Sequence, residues 1–187
     1  SIKRIEEQTD GKQMSISSYR YSGDRTVLSY EEMNGYCNRA IKLNPNCKLT
    51  LILMQVNDIE DYMKNEGSGF VQDLLQSVQD TVRRHVGHRG IVCPLQPNLM
   101  SVVVQDINSD IKLRAFIESL RSRIAWNYRL VDPKYEISFS FGVACYPENG
   151  MDMRIVHRKL VKALQMAQEK HTNCYVIYKE HLHGELS

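Results

Sequence analysis

Residues 91–104 read Ile91-Val92-Cys93-Pro94-Leu95-Gln96-Pro97-Asn98-Leu99-Met100-Ser101-Val102-Val103-Val104, two short apolar runs parted by three polar or kinked residues. Proline presets φ and asparagine tolerates a tight corner, so Gln96-Pro97-Asn98 predicts the turn of a β-hairpin. Upstream, Lys48 to Val56 is nearly all apolar, short enough for a strand and suited to the middle of a sheet. Ile59 to Lys64 reads as a short helix, which Gly67-Ser68-Gly69 breaks. A longer helix follows from Phe70 to about Val86, with Val71, Leu74, Leu75, Val78 and Val82 on one stripe. Arg83, Arg84 and His85 suit its C-terminus, where cations offset the helix dipole.

Downstream of the hairpin, Asn108-Ser109-Asp110 offers an N-cap to a helix running to about Tyr128. Leu113, Phe116, Ile117, Leu120 and Ile124 face inward, and Trp126 and Tyr128 are expected to pack on the core, with an interaction surface as the alternative. Pro133 marks a loop. Ile137, Phe139, Phe141, Val143 and Cys145 then alternate with Ser138, Ser140, Gly142 and Ala144, the period of a strand. The second face is small, so another element can approach it closely. After a turn at Pro147-Glu148-Asn149-Gly150, Val156, Leu160, Ala163, Leu164 and Ala167 form a helical stripe ending near Lys170. Cys174 to Tyr178 is a last strand. This order predicts an α+β, ferredoxin-like sandwich, a mostly antiparallel sheet flanked by helices, with a loose α/β sheet as the alternative.

The bulk numbers exclude several classes. The 187 residues suit one domain with a short appendage, and 42% hydrophobic residues suffice for one core. A net charge of +2 gives no strong electrostatic case for nucleic acid. No apolar run approaches the roughly 18 residues of a membrane span, and 1–7 lack a signal-peptide core. Five scattered cysteines without a C-x-x-C read as reduced, apolar side chains in a cytoplasmic setting. The histidines show no metal spacing, and His181 and His183 are expected on a solvated tail.

Four stretches resemble the GGDEF domain of diguanylate cyclases. Met33-Asn34-Gly35-Tyr36-Cys37-Asn38-Arg39 is similar to the family's Leu-Thr-Gly-Leu-x-Asn-Arg entry motif. Leu49 to Ile59 resembles its first strand and D-x-D-x-F turn. Ser138 to Gly150, reading SFSFGVACYPENG, resembles its SIGVA-YPEDG strand. Ala163-Leu164-x-x-Ala167 and Asn173-x-Tyr175 resemble the last helix and following strand. The resemblance implies a nucleotide cyclase-like fold over 31–180, an N-terminal linker or adapter arm over 1–30, and a tail over 181–187.

It also implies chemistry, which this chain departs from. The family joins two GTP molecules across a dimer, and acidic side chains hold the Mg²⁺ that neutralises phosphate. The metal aspartate falls on Gln55 and the next acidic position on Asn57. The signature falls on Gln96-Pro97-Asn98-Leu99-Met100, with Asn98 and Leu99 where the acidic pair belongs. The guanine-reading positions fall on Met63 and Gln72, and the phosphate lysines on Glu60 and Gln168. The product-site R-x-x-D falls on Gly87 and Gly90, while Arg83, Arg84 and Arg89 nearby are candidate phosphate contacts.

The expected function is therefore that of a degenerate GGDEF-like module of a bacterial signalling protein. Lacking a metal site, it would serve as a regulatory, dimerisation or protein-interaction domain, with protein partners or a second copy and without cofactor. The alternative is a non-catalytic nucleotide or cyclic-dinucleotide domain using Gln55, Asn57, Met63, Gln72, Gln96, Asn98 and Gln168. A third reading is a residual cyclase whose Mg²⁺ ligands have shifted to Asp58, Glu60 and Asp61. Gly67-Ser68-Gly69 is read as a helix break rather than a phosphate loop.

Overall fold

A computed structural model describes residues 30–107, 109–131, 137–170 and 174–184. The expected adapter arm and the loop at Pro133 lie outside the described residues. The chain runs α1 (Tyr30–Leu43), β1 (Leu49–Val56), α2 (Ile59–Glu66), α3 (Ser68–Val86), β2 (Gly90–Gln96) and β3 (Leu99–Gln105). It continues through α4 (Asp110–Val131), β4 (Phe139–Tyr146), α5 (Met153–Glu169), β5 (Cys174–Ile177) and a helical turn, α6 (Glu180–His183).

The five strands lie in the order β2-β3-β1-β4-β5. β1 is central and pairs antiparallel with β3 and β4. β4 and β5 are parallel, a connection that needs a crossover, and α5 supplies it. The α+β sandwich with a mostly antiparallel sheet is thus what forms, and the loose α/β alternative is set aside.

Helices cover both faces, so the strands are apolar on both sides. Leu49, Leu51 and Leu53 join Met33 and Cys37 of α1 and Val156, Leu160 and Leu164 of α5 in one core. Ile52 and Met54 point the other way, against Val71, Leu74 and Val78 of α3 and Ile117, Leu120 and Ile124 of α4. The small face of β4 is where α5 comes closest. A Cβ added at Gly142 would stand 2.3 Å from the Leu164 nitrogen and 2.8 Å from the Leu160 carbonyl oxygen. The sequence expectation of close approach is therefore met by helix backbone.

Several details differ from the sequence reading. The hairpin turn is Pro97-Asn98 alone, because Gln96 pairs with Leu99 as the last residue of β2. The long helix begins at Ser68, taking in two of the residues read as a break. The N-cap of α4 is Ser109, whose Oγ accepts from the Lys112 nitrogen at 3.2 Å. Trp126 is 65% exposed rather than packed on the core, since the buried stripe of α4 runs through Leu120 and Ile124. His183 is no solvated tail residue: its Nδ1 accepts from the Lys179 nitrogen at 2.9 Å, and Lys162 Nζ donates to its carbonyl at 2.8 Å. Lys159 Nζ also donates to the Glu180 carboxylate, tying α6 to α5.

All five cysteines are free thiols, and Cys37, Cys47 and Cys93 are buried. Burial pushes the Cys37 and Cys93 thiols up to about 12. Among the described residues no helix is long and apolar enough to cross a membrane.

Candidate functional site

The strand ends β1, β4 and the hairpin turn converge on one groove of about 630 Å³. Its lining includes Gln55 and Asn57 from β1 and the residue beyond it, and Ser140 from β4 with Ser138 just before that strand. Asn98 of the hairpin turn and Gln168 of α5 complete the polar wall, and Asp58, Glu60 and Asp61 form the rim toward α2. Strand pairing explains the convergence: Gln55 lies opposite Leu99 on one side and Ser140 on the other.

The groove side chains are engaged with one another. Gln168 Nε2 donates to Gln55 Oε1 across the opening. Asn57 Nδ2 donates to Ser138 Oγ at 3.0 Å and Ser140 Oγ at 3.1 Å. Asn98 Nδ2 donates to the Val56 carbonyl at 3.3 Å, while its own carbonyl accepts from the Val56 nitrogen at 2.9 Å. The turn is thereby stapled to the end of β1 by an amide. Half-buried amides in such a network cost little, because each lone pair or N–H lost to water finds a protein partner.

The rim is negative. Asp58 takes the left-handed conformation, φ 64°, where the chain leaves β1 and enters α2. Aspartate tolerates that region better than most residues. The Tyr62 hydroxyl is pushed above its usual pKa, first by burial and then by the Asp58 and Asp61 carboxylates beside it. Among the described residues, no lysine or arginine lines the groove.

The donor set does not fit the Mg²⁺ that the family resemblance implies. Hard divalent cations gather several oxygens, preferably charged, around one point. The strand-end positions here offer neutral amides already bonded within the protein. Asp58, Glu60 and Asp61 share the rim, but no group of three or more His, Cys, Asp or Glu side chains among the described residues is placed to hold a metal ion.

Of the candidate nucleotide positions, Gln55, Asn57, Asn98 and Gln168 meet in the groove. Gln96, Met63 and Gln72 do not line it. Gln96 is buried because β2 extends through it, while Met63 and Gln72 are exposed on α2 and α3. Arg83, Arg84 and Arg89 lie at the other end of the sheet. Register places Gly90 beside Val104, and Val104 opposite Thr50 near the start of β1. Ser138 and Ser140 were missed as groove residues. The strand alternation around Phe139 gave their face, but only the pairing of β4 with β1 brings them to Asn57.

Comparison with known proteins places this geometry. The family model "Diguanylate cyclase, GGDEF domain" matches residues 30–174. The active GGEEF domain of a diguanylate cyclase from Vibrio cholerae superposes with a TM-score of 0.68 at 15% identity, covering 80% of this chain and 94% of that one. The GGDEF domain of DgcB from Caulobacter crescentus, solved with c-di-GMP, gives 0.68 at 13% identity, covering 84% of this chain and 98% of that one. A diguanylate cyclase/phosphodiesterase from Caldicellulosiruptor saccharolyticus gives 0.67 at 20% identity, covering 88% and 95%. An uncharacterized Synechocystis protein is 17% identical over 76% of this chain, which spans only 20% of that protein's length. These matches agree in fold with the α+β sandwich whose strand ends frame the groove, and the chain belongs to the GGDEF domain family.

Proposed function

We propose that this chain is a degenerate GGDEF domain that no longer makes a cyclic dinucleotide and serves as a regulatory, dimerisation or protein-interaction module of a cytoplasmic signalling protein. In this reading residues 31–180 form the domain and 1–30 couple it to a neighbour. The carrying observation is the groove itself. Gln55, Asn57, Asn98 and Gln168 stand at its wall as neutral amides bonded within the protein, and among the described residues no lysine or arginine lines the groove to balance a triphosphate. Phosphoryl transfer relies on metal and cationic groups to neutralise charge on the transferred group, and this lining supplies none.

Incubating the chain with GTP and Mg²⁺ or Mn²⁺ is expected to yield no cyclic dinucleotide by chromatography. Metal-dependent product that disappears in Asp58→Ala and Asp61→Ala would instead establish a residual cyclase with shifted ligands.

A second reading is favoured by the size of the groove, which is ample for a nucleoside. As a non-catalytic binding domain it would show a thermal shift with GTP, ATP or a cyclic dinucleotide, and that shift would fall in Gln168→Ala. Absence of any shift across that panel leaves the interaction-module reading.

A further inference from the structure

α2 is weakly anchored for a helix of a folded domain. None of its eight residues is buried, and only Ile59 and Tyr62 lean on the core. A helix this short has little stability of its own in water. With Asp58, its exposed face carries Glu60, Asp61 and Glu66 against a single cation, Lys64. Met63, 44% exposed, sits among them.

Charge reverses at the far end of α3, whose nineteen residues make a strut of about 28 Å. There Thr81 Oγ1 accepts from Arg84 at 3.4 Å and from Asn127 of α4 at 3.0 Å, which brings Arg84 beside the stretch holding Trp126. Arg89 donates to the His85 carbonyl at 2.8 Å and lies over the Phe116 ring, 5.0 Å from its centroid. Arg123 completes the patch. His85, between these groups, is held below its usual pKa by burial, with Arg123 and Arg89 adding repulsion. Two nearby acids are engaged: Glu118 pairs with Arg121 at 3.1 Å, and Asp80 accepts from Gln76 at 2.9 Å. Arg84, Arg89 and Arg123 are all exposed, Arg123 one turn before a tryptophan that is itself two-thirds exposed and Arg89 over Phe116, further along α4.

We propose that this chain associates head to tail with a second copy of itself, the acidic face of α2 around Met63 docking on the cationic face around Trp126 of the next copy. Each face combines one large exposed apolar side chain with a net charge of one sign, and the two net charges are complementary. Aromatic anchors ringed by arginine are typical of the energetic centres of interfaces. The two faces stand at opposite ends of α3, so they cannot meet within one chain. Two different faces meet, so the contact is heterologous and can extend beyond a pair. The proposal rests on the reading that the groove beside α2 is not engaged by a nucleoside triphosphate, whose charge the same carboxylates would repel.

Sedimentation velocity of the full chain without nucleotide tests it. The sedimentation coefficient is expected to rise with concentration in about 20 mM salt and to lose that rise in about 1 M salt, where charges are screened within about 3 Å. Glu60→Lys with Asp61→Lys removes one face, and Arg84→Glu with Arg123→Glu removes the other. Each double variant alone is expected to be monomeric. An equimolar mixture is expected to associate again, because each face of one variant then meets a face of opposite sign on the other. Circular dichroism confirms that both variants are folded. A wild-type chain that stays monomeric in low salt overturns the proposal. So does a variant that associates as well alone as the wild type, which indicates a face paired with itself, and so does a mixture that fails to pair. Because no GTP is present, cyclase activity found separately would refute the proposed function while leaving this result readable.

Discussion

β1 begins and ends under different rules. From Leu49 to Met54 every side chain is buried, in register with β3 on one side and β4 on the other. From Gln55 onward the same backbone delivers amides to an open groove. The first part has no freedom, because helices cover both its faces and any gap or excess volume is felt. The second is bordered by solvent and by other polar side chains that can answer a change with a new hydrogen bond. A fold can therefore persist at 13–20% identity to its structural relatives, because its groove is held by weaker packing constraints than its core.

The sharpest way to break this contrast is to load the packed part. Gly142→Val puts a side chain 2.3 Å from the Leu164 nitrogen, where only backbone could give way. A loss of about 3 kcal/mol or more, or failure to fold, is expected in urea denaturation. A loss below about 1 kcal/mol would show that α5 is free to lift from the sheet.

Acid should come next. His157 is fully buried on the inner side of α5, and burial pushes it down from 6.5 to about 3. A group depressed in the folded state contributes stability above its unfolded pKa, and that contribution falls away as pH drops below 6.5 toward 3. Roughly 2–3 kcal/mol should be lost between pH 7 and pH 4, and His157→Leu should flatten that limb of a pH series of urea melts.

Asn149 tests the turn that ends β4. Its side-chain oxygen accepts from the Cys145 nitrogen at 2.8 Å while its own nitrogen donates to the Cys145 carbonyl. Asn149→Ala leaves a buried N–H without its acceptor, and about 1–3 kcal/mol should be lost by calorimetry or denaturant. The groove should give the smallest effect. Gln168→Ala removes the contact with Gln55 but opens both positions to water, so less than about 1 kcal/mol should be lost. A larger loss would mean that the groove also holds the fold together.

The same contrast explains what could be read from the sequence. Strands and helix stripes were legible because alternation at Ile137–Cys145 and the apolar run at Leu49–Val56 follow from local geometry. The small face of Ser140, Gly142 and Ala144 even announced the close approach of another element. Trp126 misled, since an aromatic residue near a helix end gives no sign of which side it takes. In the groove the limit was distance along the chain. Gln55 and Gln168 are 113 residues apart, and Asn57 and Ser140 are 83 apart. No periodicity links such residues, and only the register of β1 with β4 and the path of α5 brings them together. Gln96, Met63 and Gln72 were placed at the site by family position alone, and strand extension or an outward helix face took them elsewhere.

The ties of α6 to α5 have a mechanical side. Lys159 reaches Glu180, Lys162 reaches the His183 carbonyl, and the Tyr178 hydroxyl donates to that carbonyl at 3.3 Å. α5 in turn lies directly on Gly142 at Leu164, without side chains as a cushion, and carries Gln168 one turn further on. A pull on the residues after β5 is therefore borne by a stiff beam rather than taken up by slack, and it arrives at the groove wall as a displacement of Gln168 against Gln55.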